Sequence, residues 1–182
     1  MKKIVVIILI IIALVFLYNI RDNFTTKKTD TPTVNENGTF HPDPSNATFI
    51  FDDGPVTFSS GKNEKPIAPG SAFIEETIIL DKLAYGDLNA DGKQDTAMLL
   101  ARYGAGSGTF IYVAVFISGP VTYKGSNTIF IGDRIIPQSI SIDGDIVVVN
   151  YLDRKPSEAL AAEPTIKTSK QLVYKSGKFL EK

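Results

Sequence analysis

The chain contains no cysteine and no tryptophan, one histidine, and almost no net charge. Without cysteine there is no disulfide, no thiolate nucleophile, no cysteine-ligated zinc or iron–sulfur cluster, and no residue for a lipoprotein anchor. With 19 Lys and Arg against 20 Asp and Glu, the sequence lacks the positive surplus that grips a phosphate backbone, so no nucleic-acid partner is expected. The single histidine, His41, sits in His41-Pro42-Asp43 ahead of the region expected to fold, which leaves that region without an imidazole base for a serine nucleophile. No internal repeat is visible, and 182 residues suffice for one ordinary domain.

What is present begins with a membrane signal. Met1-Lys2-Lys3 precedes an apolar run over residues 4–20, 17 residues broken only by Asn19. At a rise of about 1.5 Å per residue it spans roughly 25 Å of hydrocarbon, near the lower limit for a transmembrane helix. Its core exceeds that of a cleaved signal, and Leu14 to Asn19 offer no small residues for a peptidase, so an uncleaved signal anchor is the preferred expectation over a cleaved one. Lys2 and Lys3 place residues 1–3 in the cytoplasm and the rest of the chain outside, although Arg21, Lys27 and Lys28 narrow the charge difference across the span. Residues 21–45 are rich in Thr and Pro and nearly free of aliphatics, which predicts a disordered tether, with His41 exposed in it. Asn23, Asn37 and Asn46 each begin a glycosylation-type triplet, a common chance occurrence.

Residues 46–182 read as a single, mainly β, antiparallel domain, a sandwich or a partly open barrel, on the extracytoplasmic side of the membrane. Segments 47–51 and 55–59 flank Asp52-Asp53-Gly54 and predict a hairpin. The run Phe110 to Ile117, aromatic or β-branched at every position but Ala114, predicts a central strand covered on both faces. Strands are also expected over 128–131, 138–142, 146–151, 171–174 and 178–180, with antiparallel turns at Asp143-Gly144 and Ser176-Gly177. A short helical turn is expected over 157–162, and 75–83 is ambiguous between helix and strand.

The segment Asp87-Leu88-Asn89-Ala90-Asp91-Gly92-Lys93-Gln94-Asp95 has the form DxNxDGxxD. Alternation at Asp87, Asn89 and Asp91 sets three oxygen donors on one side of a tight loop; Gly92 permits the turn, Lys93 can offer its carbonyl, and Asp95 closes the cage. An all-oxygen set suits calcium, and three crowded carboxylates need a divalent cation to offset their repulsion. The plainer reading is an acidic hairpin turn, since Asp-Gly is a favoured turn pair. An EF-hand would end in a bidentate Glu where this chain has Met98. Residues 83–100 resemble the calcium loop of FG-GAP (VCBS-type) repeats, which joins two strands of a propeller blade, and are similar to the first half of a dockerin loop. That resemblance implies side-chain ligation by Asp87, Asn89, Asp91 and Asp95 and backbone ligation by Lys93. A single copy excludes a whole propeller on length, and the remainder of the chain resembles small bacterial envelope proteins.

Gly104-Ala105-Gly106-Ser107-Gly108 lacks the Lys-Ser/Thr of a P-loop, and Ala105 breaks a nucleophile elbow around Ser107. Asp133-Arg134 and Asp153-Arg154 follow strand-like segments and leave open a carboxylate pair for glycan cleavage, against the commoner surface ion pairs. The sequence thus points to a non-enzymatic, membrane-anchored binding or structural module of the bacterial envelope, with one calcium-stabilised loop and an envelope protein or glycan as partner. The alternatives are a glycan hydrolase using Asp133 and Asp153, or an inhibitor docking a secreted enzyme through residues 104–108.

Overall fold

The computed structural model describes residues 33–34, 40–104 and 106–182. The anchor expected over 4–20 and the first part of the tether lie outside the described residues. Among the described residues no helix is long and apolar enough to cross a membrane. The fold is mainly β, as expected, and every strand pairing within its sheets is antiparallel.

In chain order the strands are β1 (Thr33–Val34), β2 (Phe40–His41), β3 (Thr48–Phe51), β4 (Gly54–Thr57), β5 (Lys62–Pro66), β6 (Ile74–Gly86), β7 (Asp95–Tyr103), β8 (Thr109–Ile117), β9 (Lys124–Gly125), β10 (Ile129–Asp133), β11 (Ile136–Asp143), β12 (Ile146–Asp153), β13 (Ile166–Lys175) and β14 (Lys178–Glu181). The larger sheet runs β10-β8-β7-β6-β5, with β9 joined to β8; the smaller runs β11-β12-β13-β14. A β3-β4 hairpin and a short β1-β2 pair complete the pairing.

The larger sheet is covered on both faces, and alternation along β7 assigns the faces. Ala97, Leu99 and Ala101 point into one core with Ile111, Val113 and Val115 of β8, where they meet Val147, Val149 and Tyr151 of β12, Leu172 of β13 and Phe179 of β14. Met98 and Leu100 point the other way into a second core closed by Phe49, Phe51, Val56 and Phe58 of the β3-β4 hairpin. The centre of the sheet is therefore β7 rather than the 110–117 run, since eight of its nine residues are buried. Its Ala-Met-Leu-Leu-Ala composition is that of a good helix former, and two-sided burial overrides that preference. β8 is doubly covered, as expected, one position off centre.

The ambiguous 75–83 segment is strand. An irregularity between Ile79 and Leu83 sets two extra residues of β6 against β7, which breaks the two-residue alternation that would have marked it. The hairpins at Asp143-Gly144 and Ser176-Gly177 form as expected; Ser176 (φ 52°) and Gly177 (φ 79°) both take the left-handed backbone of a type I′ turn. No helix forms over 157–162. Two tight turns occupy it, closed by Glu158 N–H to the Lys155 carbonyl and Ala162 N–H to the Ala159 carbonyl.

Residues 40–45, expected to belong to the tether, are packed against the domain. Pro42 and Pro44 are buried, the Pro42 carbonyl accepts the Thr96 hydroxyl at 2.7 Å, and Thr33 pairs across from His41. His41 is correspondingly half-buried instead of exposed: its ring stacks on Tyr85 with centroids 3.9 Å apart, and Nδ1 lies 2.9 Å from Gln94 Oε1. Prolines deprive this segment of ladder hydrogen bonds, so it docks through rings and carbonyls that an aliphatic count cannot register.

Candidate metal centre

The DxNxDGxxD segment forms the connection between β6 and β7, two antiparallel neighbours. Gly92 takes φ 81°, the left-handed turn assigned to it, and Ala90 takes φ 59°, a conformation costing a residue with a Cβ about 1 kcal/mol. The loop is organised by its own carboxylates. Asp87 accepts the backbone N–H groups of Asp91 (3.1 Å) and Gly92 (2.8 Å), and Asn89 Oδ1 accepts the Asp91 N–H at 3.2 Å. Asp91 Oδ1 accepts the Lys93 N–H at 2.9 Å.

A residue outside the motif ties these donors to the sheet. Ser118, just beyond β8, donates its hydroxyl to Asp91 Oδ2 at 2.7 Å and its N–H to Asp95 Oδ1 at 2.7 Å, while its carbonyl accepts the Asn89 amide at 3.0 Å. Asp95 Oδ2 accepts the Leu88 N–H at 2.8 Å, so the fully buried Asp95 clasps both ends of the site. Burial pushes the Asp95 carboxyl above its ordinary value, whereas the Ser118 hydroxyl holds that of Asp91 below it. The Lys93 ammonium donates to the Gly119 carbonyl at 3.1 Å and lies 3.9 Å from Asp91 Oδ2.

The donor chemistry fits calcium. Each of the six oxygens of Asp87, Asp91 and Asp95 accepts one hydrogen bond within the protein and keeps a second lone pair for a cation. The structure brings Asp91 and Asp95 together at Ser118 and holds Asp87 and Asn89 against the loop backbone. Among the described residues no three His, Cys, Asp or Glu side chains are gathered as for a metal. Beside the loop is an open groove of about 580 Å³ lined in part by Phe40, Lys93, Val121 and Tyr123.

A second cluster of charges is absent from the sequence reading. Arg102 of β7 is buried, and its guanidinium grips Asp53, in the hairpin turn, through two bonds of 2.9 and 2.6 Å while reaching Glu75 of β6 at 2.5 Å. Lys65 lies 3.1 Å from Glu75, and the guanidinium sits 5.1 Å over the Phe51 ring. The cluster clamps the tip of the hairpin to the larger sheet. Only an Arg within an otherwise apolar strand could have signalled it.

The Arg102 hydrogen bonds hold the Asp53 carboxyl down to about 2, from an ordinary value of 3.8. A depressed carboxylate stabilises the fold above its unfolded value, and that stabilisation is lost as pH falls towards the folded value. The melting temperature should therefore decline between about pH 4 and pH 2. The half-exposed Asp53 side chain limits the effect to about 1 kcal/mol. Asp53→Asn is expected to flatten this limb in a pH series of thermal melts, and parallel curves for the two proteins would refute the clamp.

Both Asp-Arg pairs bond to backbone groups. Asp133 accepts the Thr109 N–H at 3.0 Å, and Arg134 donates to the Ser107 carbonyl at 2.8 Å, pinning Ser107 and Thr109 to the end of β10. Arg154 donates to the carbonyls of Ala162, Asp133 and Arg134, and Asp153 accepts the Arg154 N–H at 2.7 Å. No protein-family model, curated protein or solved structure matches the chain.

Proposed function

We propose that this chain is a membrane-anchored, extracytoplasmic binding or structural module of the bacterial envelope whose β6-β7 loop is stabilised by calcium, with its two facing sheets forming a sandwich. The observation that carries the calcium reading is the set of carboxylate oxygens in Asp87, Asp91 and Asp95, each with a lone pair to spare, with Asp91 and Asp95 tied through Ser118 to the end of β8. Asp87, Asn89, Asp91 and Asp95 would hold the ion by side chain and Lys93 by its carbonyl, at the millimolar affinity typical of extracellular modules. In this role the ion is structural. It neutralises three acidic groups at one end of the larger sheet and ties β6, β7 and the residue after β8 together. The 17-residue apolar run with Lys2 and Lys3 before it supports the anchor and its orientation.

Calcium at about 5 mM should raise the unfolding free energy by about 1 to 2 kcal/mol, an increase of roughly 3 to 6 °C in melting temperature, relative to chelator. Asp91→Ala should remove that response. A melting curve indifferent to calcium and chelator would defeat the calcium reading.

A further inference from the structure

The calcium reading assigns no role to Gln94, although it sits between two of the proposed ligands, Lys93 and Asp95. The structure gives it two partners outside the loop. Its side-chain Oε1 lies 2.9 Å from His41 Nδ1, and its backbone carbonyl accepts the Tyr123 hydroxyl at 2.9 Å. Tyr123 in turn lies beside the ring of Phe40, with centroids 6.0 Å apart. Gln94 therefore joins the loop to Phe40 and His41, the two residues of β2.

Residues 40–44 form a strap across the base of that loop. Tyr85 and Thr96 stand opposite one another in the β6-β7 register, one rung before Gly86 and Asp95. The strap takes hold of both: the His41 ring stacks on Tyr85 with centroids 3.9 Å apart, and the Pro42 carbonyl accepts the Thr96 hydroxyl at 2.7 Å. Pro42, Pro44 and Thr96 are buried, so this hydrogen bond is shielded from water and costly to leave unmade. The chain just beyond is fixed elsewhere. The Ser45 carbonyl accepts the Gly61 N–H at 2.8 Å, and the Asn46 side chain accepts the Ser60 N–H at 3.0 Å.

We propose that docking of residues 40–44 and order in the β6-β7 loop are a single equilibrium: the loop holds the strap down, and the strap lifts about Ser45 when the loop loosens. The coupling runs through Tyr85, Gln94 and Thr96, which lie beside the ligands assigned to calcium without being among them. An ion held by the Lys93 carbonyl and the Asp95 carboxylate fixes the backbone on both sides of Gln94, and so favours the docked strap. Linkage makes the effect reciprocal: the factor by which calcium favours docking is the factor by which docking raises calcium affinity. Lifting these five residues adds up to roughly 16 Å of extended chain between the apolar run at 4–20 and the domain, so the strap sets how far an anchored domain can reach. Control by calcium deepens the proposed function and rests on it; the coupling of strap to loop does not.

The test uses the full chain in nanodiscs of neutral lipid, with a nitroxide label on Asp43→Cys, where no native cysteine competes. In chelator, Gln94→Ala should raise the mobile fraction of the label about fivefold, because the loop loses its side-chain hold on the strap. His41→Ala combined with Thr96→Val, in the unlabelled chain and in chelator, should speed hydrogen exchange over residues 87–95 about fivefold and leave that of β12 unchanged. An unmoved label, unmoved loop exchange, or equal acceleration in β12 would overturn the inference. Calcium at about 5 mM should lower the mobile fraction, and the double variant should raise the calcium concentration that half-saturates the melting shift about five- to tenfold. Melting that responds to calcium while the label does not would overturn calcium control of the strap. Melting indifferent to calcium would defeat the calcium reading instead, and the measurements in chelator would still decide the coupling.

Discussion

Asp95→Ala is expected to destabilise the protein by about 3 kcal/mol, or roughly 10 °C, in chelator as well as in calcium. The Asp95 carboxylate is fully buried at the start of β7, and its two oxygens accept the N–H groups of Leu88 and Ser118 at 2.8 and 2.7 Å. Truncation leaves both donors buried without partners, at about 1 to 3 kcal/mol each. Part of that loss is offset because a buried carboxylate is itself costly, which is why burial raises its titration point. Asp95→Asn retains one acceptor and turns an amide N–H towards the second donor, so it should recover about half of the loss. Denaturant unfolding in chelator isolates this hydrogen-bonding role from any contribution of an ion. An alanine variant within about 0.5 kcal/mol of wild type would mean that the clasp carries no stability.

Legibility in the sequence followed the range of the forces involved. Turns set by neighbouring residues were readable: Gly144 and Gly177, which lack a Cβ, supply the positive φ that the two hairpins need. So was β8, whose β-branched and aromatic residues report burial on both faces. The central strand β7 was not, because what makes it a strand is its place between β6 and β8, supplied by residues far away in sequence. The candidate loop shows the same division. The spacing of Asp87, Asn89, Asp91 and Asp95 marks a tight oxygen-lined turn, but the residue that links them to the sheet, Ser118, lies 23 residues beyond Asp95 and belongs to no motif. The Arg102 clamp joins positions 49 and 27 residues apart, so nothing local announces it. Likewise, the carbonyls that Arg134 and Arg154 bond are not visible from the residues beside them in sequence.

Long-range backbone contact also determines the position most sensitive to a single added methyl group. The β3-β4 hairpin joins the larger sheet where Ile50 donates to the Ser126 carbonyl at 3.1 Å and accepts from the Thr128 N–H at 2.8 Å, forming a parallel bridge to Asn127. For those bonds to form, β9 must pass against β3 with nothing between them, and a Cβ on Gly125 would collide with the Thr48 carbonyl oxygen and press on the Phe49 ring at 2.7 Å. Phe49 is fully buried in the second core, and a carbonyl cannot rotate away as a flexible side chain does. Gly125→Ala should therefore cost about 3 kcal/mol through overpacking, about 10 °C in melting temperature, with the hairpin loosened first. Hydrogen exchange should show the Ile50 and Thr128 amides losing protection ahead of those in β7. Gly144→Ala makes the contrast: its φ of 59° strains an alanine by about 1 kcal/mol, but no atom lies within 4 Å of the added carbon. Equal losses for the two variants would show that backbone conformation, rather than close approach to β3, explains the glycine at 125.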